Sequence, residues 1–366
     1  MDATDHKIFR CVAIKTTFTM QKAVRPLITT LIPTYRRPRL LQRALASAAK
    51  QQDVDVRVCV FDNCSGDETA GVVRQMGDHA EVRYHCHPRN IGGLANLDFA
   101  MRSVETPFFS VLSDDDYLLP GFYRNALAGL RENPQAMFWV GETIWVNELG
   151  LVWDARVSRW PREGVFSPPE GLTRMMHGLA PTWTGVVFRR EIFDRIGFLD
   201  LEALGPCDLD FMLRAASQPF VLSKSPSAVY MINTASFSAT QPLSSFWPGW
   251  QKLFRNMEHN AAFDPGTRSV ALAALHRDAQ RMLFRRGVNA LTTRRYDFSR
   301  EAAHALQSYY GMRARSRTLE VLAAVCERAP WLQRLFAAAY RWLERRLVAS
   351  RGELEVQFGH LVQRRP

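Results

Sequence analysis

A chain of 366 residues with 47% hydrophobic content can fill one large core, yet its longest apolar runs (residues 108–112 and 321–325) fall far short of the roughly 20 residues that cross a bilayer. Six cysteines, Cys11, Cys59, Cys64, Cys86, Cys207 and Cys326, are scattered without a CxxC pair, which predicts free thiols and argues against a zinc knuckle. The net charge of +11 is localised: residues 251–366 hold 21 of the 47 Lys and Arg but only 10 of the 36 Asp and Glu, leaving 26 of each sign in residues 1–250.

A neutral body with a basic arm predicts that the arm meets an anionic surface. The N-terminus carries Asp2 and Asp5 and interrupts its apolar stretch with Lys15, so it lacks the order of a secretion signal. A cytoplasmic protein is expected, attached peripherally to the inner face of the cell membrane.

Residues 1–26 show no sustained period and read as an extension. From residue 27 short apolar strands alternate with helix-period segments, the pattern of an α/β sheet with helices on both faces. Residues 27–32 form a β-branched strand that Pro33 should stop, and Leu40, Leu41, Ala44, Leu45 and Ala48 follow at helical spacing. Val54, Val56, Val58 and Val60 alternate toward Asp62, and a second helix carries Val72, Val73 and Met76. Val82 and Tyr84 mark a third strand, Leu94, Leu97 and Met101 a third helix, and residues 108–112 a buried fourth strand. Residues 137–181 are irregular and Trp-rich, with a hairpin signal at residues 147–150, and read as an acceptor-side insertion. A strand at 185–188, helices at 190–196 and 208–216, and a closing strand at 228–231 resume the core. An Arg-rich helical region follows from about Leu253. The expected organisation is an extension (1–26), a catalytic domain (27–235, with a nucleotide half 27–120 and an acceptor half 121–235) and a basic helical region (236–366).

Ligands of open α/β sheets bind beyond the carboxyl ends of the strands, and four turns there carry chemistry. The first is Pro33-Thr34-Tyr35, whose aromatic ring can stack on a base. At the second, Asp62 can accept from a base N–H or a ribose hydroxyl, although an Asx turn explains it as well. The third, Asn90-Ile91-Gly92-Gly93, permits close backbone approach and opens a helix, a position suited to phosphate. The fourth, Asp114-Asp115-Asp116, places three carboxylates directly after an apolar strand. Such charges repel unless a cation neutralises them, and oxygen ligands suit Mg²⁺ or Mn²⁺. Asp208 opens a helix. Its bland reading is an N-cap, and its functional reading is a general base for a hydroxyl.

Read in order, "LIPTYRRPRLLQRAL", "VCVFDNCSGD", "HPRNIGGLANLDFA", "FFSVLSDDDYLLPGF", "TGVVFRREIFDRIGFLD" and "PCDLDFMLRAA" resemble the inverting family 2 glycosyltransferases of the GT-A fold, over residues 27–216. The resemblance implies a Rossmann-like open sheet and transfer of a sugar from a nucleotide-diphospho-sugar donor to a saccharide or lipid-linked acceptor, as in bacterial polysaccharide or lipopolysaccharide assembly. It implies that Asp62 holds the base, that residues 114–116 form the DxD-type motif at ribose and metal with Asp115 or Asp116 as the direct ligand, and that Asp208 is the catalytic carboxylate. Cys207 stands where the family motif has Glu, so acceptor preference cannot be carried over.

A sugar-nucleotide nucleotidyltransferase is the nearest alternative, but "IPTYRRPR" lacks that enzyme's glycine-rich loop. No GxxxxGK[ST] occurs. A nucleic-acid-binding protein is disfavoured because the arm's basic residues alternate with Ala and Leu without a base-stacking series of aromatics; no nucleic-acid partner is expected. A non-catalytic sugar-binding descendant is the third alternative. His85, Cys86 and His87 alternate along a strand, which argues against joint coordination of one ion. In residues 331–348 a stripe of Leu332, Leu335, Phe336, Ala339, Leu343 and Leu347 fits packing, a homo-oligomer contact or a membrane interface.

Overall fold

A computed structural model describes residues 27–363 apart from 52–53, 77–80, 177, 233–241 and 350–351; the N-terminal extension lies outside the described residues. Its centre is β1 (Ile28–Thr34), parallel to β2 (Val56–Asp62) on one side and to β4 (Phe108–Val111) on the other, with β3 (Glu81–Cys86) outside β2. The connections are α1 (Pro38–Ala49), α2 (Thr69–Arg74) and α3 (Gly93–Arg102). The predicted α1 stripe is the one that packs: Leu41, Ala44, Leu45 and Ala48 are all buried.

Pro33 does not stop β1. The Thr34 carbonyl accepts from Asn63 N on the β2 side, whereas the Leu31 carbonyl accepts from Leu112 N on the β4 side. Alternate residues of a parallel strand bond to opposite neighbours, so Pro33 points toward β4, whose pairing ends at Leu31 opposite Val111. Its missing N–H costs no ladder bond.

The second half comprises β5 (Tyr117–Leu118), α4 (Phe122–Glu132), β6 (Phe138–Val146), β7 (Val152–Ala155), β8 (Gly164–Phe166), α5 (Glu170–Met175), β9 (Val186–Arg189), α6 (Ile192–Ile196), α7 (Cys207–Ala215) and β10 (Phe220–Met231). The sheet runs β3-β2-β1-β4-β9-β6-β10-β5, with β7 on β6 and β8 on β10. The stretch expected to be irregular therefore contributes a nine-residue central strand, β6, and the expected hairpin to β7 at residues 147–150. Trp139 and Trp160 are core residues, and Trp145 is half-buried.

Helices α8 (Leu243–Glu258), α9 (Pro265–Thr292), α10 (Tyr296–Tyr310), α11 (Arg313–Arg328), α12 (Pro330–Ala349) and α13 (Gly352–Phe358) form the C-terminal region. It is not separate from the sheet domain. Leu253, Met257, Ala271 and Leu275 share one core with Phe188 and Phe211, and a Cβ on Gly249 would lie 2.2 Å from the Ala203 carbonyl oxygen. The chain end returns to the sheet, where Glu355 accepts from Val152 N at 2.7 Å and Phe358 is buried beside Ile144 and Val229.

Helix α12 packs through a different face from the expected stripe. Gln333 and Ala337 are buried, and Gln333 Nε2 donates to the Leu291 and Thr292 carbonyls. Trp331, Leu335, Trp342 and Leu343 are exposed, at 50–63%, beside exposed Arg334, Arg341, Arg345 and Arg346.

Candidate active site

The strand register aligns Thr34, Asp62 and Cys86 in one row at the carboxyl edge of β1, β2 and β3. Asp62 is almost fully buried. Its Oδ1 accepts from Ser65 N (2.9 Å) and Oγ (2.5 Å), and its Oδ2 accepts from the Tyr84 hydroxyl (2.6 Å). Burial, then Asp62, pushes the Tyr84 pKa up, so the phenol stays a donor. Tyr35 is exposed beside this row, with the Arg36 guanidinium over its ring.

The glycine turn is braced by two asparagines. Asn63 Nδ2 donates to Asn90 Oδ1 at 2.9 Å, Asn63 Oδ1 accepts from Ile91 N, and Asn90 Oδ1 also accepts from Gly92 N. Asn90 therefore holds the loop, and two of the N–H groups expected to face phosphate are already bonded. Gly92 has φ +90°, a conformation strained for any residue with a side chain, and a Cβ at Gly92 or Gly93 would meet open space. The turn thus leaves room for a ligand above it.

The three adjacent aspartates have three different surroundings. Asp114 is buried and accepts from Thr34 Oγ1 (2.9 Å) and Arg37 Nη1 (3.1 Å). Burial pushes its pKa up to about 6, opposed by Arg37 and reinforced by Asp115. Asp116 is fully buried: Oδ2 accepts from Thr184 Oγ1 at 2.6 Å and Oδ1 from Met231 N at 2.8 Å. Burial and Asp115 raise its pKa. Asp115 is partly open. Its Oδ2 accepts from Arg37 Nη1 at 3.2 Å, its Oδ1 has no hydrogen bond among the described residues, and its carbonyl accepts from Arg43. Of the two expected metal ligands, Asp116 is turned into the protein and only Asp115 offers a free oxygen. Among the described residues no three His, Cys, Asp or Glu side chains converge as a metal cage. What Asp115 fits is an ion held by one carboxylate, with substrate phosphates and water completing the shell.

Asp208 lies in the first turn of α7. Its side chain caps no other residue's N–H beyond Leu209 N, at 2.7 Å. It is exposed; desolvation raises its pKa, and the Leu209 N–H and Arg156 oppose the rise. Its neighbours are occupied. Asp210 accepts from Arg214 (2.8 Å) and Asn256 (2.8 Å), and Arg214 also donates to the Ile196 and Phe198 carbonyls. Cys207 is buried, and that burial raises its thiol pKa, so it packs as a neutral side chain. Tyr230 packs against Trp145, ring centroids 4.4 Å apart and planes at 39°; burial first, then Asp116, Asp115 and Asp208, raises its pKa.

Sequence reasoning missed Arg37, Arg43, Thr184, Tyr84, Tyr230 and Arg156. The first two fall in "TYRRPRLLQR", where basic side chains following a strand end could have been matched to the aspartate run. His85 and His87 pack edge to face, with ring centroids 4.7 Å apart and planes at 78°; His87 is paired with Asn96 at 3.0 Å. A cavity of about 590 Å³ between α6 and the end of α8 is lined by Asp200, Arg214 and Asn256. Those groups are already bonded to one another or to Lys252 and Asp210, and the cavity is not the site.

Comparison with known proteins agrees with this layout. The family profile "Glycosyl transferase family 2" matches residues 29–197. An uncharacterized protein of Mycobacterium tuberculosis is 24% identical over 200 residues, 52% of this chain and 62% of the relative. A Campylobacter jejuni GalNAc(5)-diNAcBac-PP-undecaprenol beta-1,3-glucosyltransferase is 30% identical over 98 residues, 26% of this chain and 32% of the relative. The chain thus spans less than two thirds of either relative. Staphylococcus aureus TarS in complex with UDP-GlcNAc superposes with a TM-score of 0.58 at 14% identity, covering 86% of this chain and 91% of that one.

Proposed function

Because this chain belongs to glycosyl transferase family 2 and is a glycosyltransferase of the GT-A fold, we propose that it transfers a sugar, with inversion, from a nucleotide diphosphate donor to an acceptor hydroxyl. The observation that supports this most directly is the Asp208 carboxylate in the first turn of α7, exposed and, among the described residues, hydrogen-bonded only by the adjacent Leu209 N.

In this reading the Thr34, Tyr35 and Asp62 row takes the base and ribose, and the Gly92-Gly93 turn lies against the donor. Asp208 Oδ removes the acceptor proton as the acceptor oxygen attacks the anomeric carbon and the bond to the diphosphate breaks. Raised above the ordinary aspartate range, Asp208 is a stronger base than a free carboxylate. Asp115 would hold a divalent cation, Mg²⁺ or Mn²⁺, which when bound supplies positive charge to the departing diphosphate. Asp114 and Asp116 fix the turn: one is tied to Thr34 and Arg37, the other to Thr184 and the β10 backbone.

The acceptor is proposed to be lipid-linked, in bacterial polysaccharide or lipopolysaccharide assembly; the name of the C. jejuni relative specifies an undecaprenyl-diphosphate-linked glycan. No helix among the described residues is long and apolar enough to cross a membrane. The Trp331, Leu335 and Trp342 face with its four arginines suits the surface of an anionic bilayer. Release of nucleotide from a panel of UDP-, GDP- and dTDP-sugars, by the native chain and by Asp208→Asn, tests the reading. Absence of release from every donor by folded protein refutes it.

A further inference from the structure

The end of the chain folds back onto the strands that follow the aspartate turn. Glu355 of α13 accepts from the N–H of Val152, where β7 begins, at 2.7 Å. Phe358 and Val362 are buried in a small core with Tyr117, Leu119, Ile144 and Val229, and Leu354 and Leu361 pack on its rim. Beyond them, Gln363 N donates to the Tyr117 hydroxyl at 2.8 Å, across 246 residues of sequence.

Tyr117 directly follows Asp116, and the turn is tied to it and to its neighbours in that core. The Arg43 guanidinium lies over the Tyr117 ring, 4.7 Å from the centroid, and donates to the Asp115 carbonyl. Tyr117 pairs with Val229 of β10, two residues before Met231, whose N–H donates to Asp116 Oδ1 at 2.8 Å. Leu119 N donates to the Ser227 carbonyl at 2.9 Å. The backbone of Asp115 and the side chain of Asp116 are therefore both fixed through residues that share a core with the chain end.

As a stabiliser of the whole fold this segment is inefficient. Ordering a chain terminus costs backbone entropy at every residue, and the return here is two buried side chains and the bonds of Glu355 and Gln363. The other three hydrophobic cores contain none of its residues, so its release would leave them intact and would loosen the wall behind Tyr117. We propose that the chain end is a positioning element of the donor site: docked through Phe358, Val362 and Gln363, it holds the Asp115 turn in the form that takes a divalent cation, and undocked it disarms that turn without unfolding the sheet. The inference rests on the reading of Asp115 as the carboxylate that holds the cation. It lets whatever detaches α13 from the sheet act on the donor site.

Hydrogen exchange, read by mass spectrometry on the full metal-free chain, reports on the turn directly. The amides of Asp116, Leu118 and Leu119 are bonded to Ser113 O, Ser47 Oγ and Ser227 O. Phe358→Ala should speed exchange of residues 113–119 by about tenfold while β1 keeps its protection. Tyr117→Phe, which removes only the hydroxyl, should speed it by about three- to tenfold. Leu319→Ala, in the core of the C-terminal helices, is the control for general loss of stability and should leave exchange of the turn as it is. With the nucleoside diphosphate that the release screen selects, Mn²⁺ affinity read by electron paramagnetic resonance should fall about five- to tenfold in Phe358→Ala and be restored in Phe358→Leu. Unchanged exchange in both Phe358→Ala and Tyr117→Phe, an equal rise in Leu319→Ala, or faster exchange with undiminished Mn²⁺ affinity would overturn the proposal. A native chain that binds no Mn²⁺ would refute the cation reading of Asp115 itself, a result distinct from the exchange data, which read the hold of the chain end on the turn without any metal.

Discussion

Replacing Asp116 by Ala should unfold the protein more readily, whereas replacing its neighbour Asp115 should not. Asp116 is fully buried and accepts from Thr184 Oγ1 and Met231 N. A hydrogen bond to a charged group contributes about 1.5–3 kcal/mol, and its loss leaves a buried hydroxyl and a buried N–H without partners. Two such bonds give roughly 3–6 kcal/mol gross. Removing a carboxylate whose pKa burial has raised returns part of that, so a net loss of about 2–4 kcal/mol is expected. For a chain of this size, with an unfolding entropy of roughly 0.8 kcal/mol/K, that lowers Tm by about 3–5 °C. Asp115 is partly open and paired only with half-exposed Arg37, so Asp115→Ala should cost at most about 1 kcal/mol while removing any metal stimulation of transfer. Thermal and urea denaturation of both variants, alongside nucleotide release with and without Mn²⁺ or Mg²⁺, decides the matter. An Asp116→Ala protein with native Tm but no metal response would refute the division of labour and return Asp116 to the ligand role expected from the sequence.

Asp208→Asn should lower turnover by about 10²- to 10⁴-fold with nucleotide affinity little changed, since a base acts in the transition state; a collapse of donor binding would place Asp208 at the donor. Because Asp208 works ionised and its pKa is raised, kcat should fall as pH drops through a value above the usual aspartate pKa of about 3.9, and the same pH–rate profile for Asp208→Asn should lack that limb. Gly92→Ala forces a side chain into φ +90° and should weaken donor binding by more than tenfold, about 1.4 kcal/mol or more, as read by nucleotide titration. Paired Trp331→Ser and Trp342→Ser substitutions should abolish low-salt co-sedimentation with anionic liposomes while leaving release of nucleotide unchanged. Cutting the chain near Asn260 would be a poorer test, because Ala271 and Leu275 beyond it belong to the shared core.

Strands β1, β2 and β4 were legible because each is an apolar run with a turn residue or a carboxylate at its end. Strand β6 was not. Its sequence breaks at Gly141 and Glu142, and both breaks have structural causes: a Cβ at Gly141 would lie 2.1 Å from Ser227 Oγ, and Glu142 is buried to cap the turn at Val157 and Ser158. A central strand that must admit a neighbour's side chain and hold a turn beneath it loses the periodicity by which strands are recognised. The start of α8 at Leu243 was missed because Pro242 and the internal Pro248 mask a helix whose apolar face (Phe246, Trp247, Trp250, Leu253) is regular.

The site was legible to the level of residue type and order, not to that of role. Consecutive residues in a turn point in different directions, so "DDD" contains no information about which carboxylate faces inward; that is set by Thr184 and by Met231, 68 and 115 residues away in sequence. The same holds for the cations. Arg37 and Arg156 are two of 47 Lys and Arg residues, and only folding distinguishes the one that braces the aspartate turn from the one held over the Trp145 ring. Carboxylates at the end of an apolar strand announce themselves because their burial would be costly without compensation. A long arginine at the surface of a loop carries no such penalty in the sequence, and its role becomes visible only when folding brings it to carboxylates as distant in sequence as Asp114 and Asp115 are from Arg37.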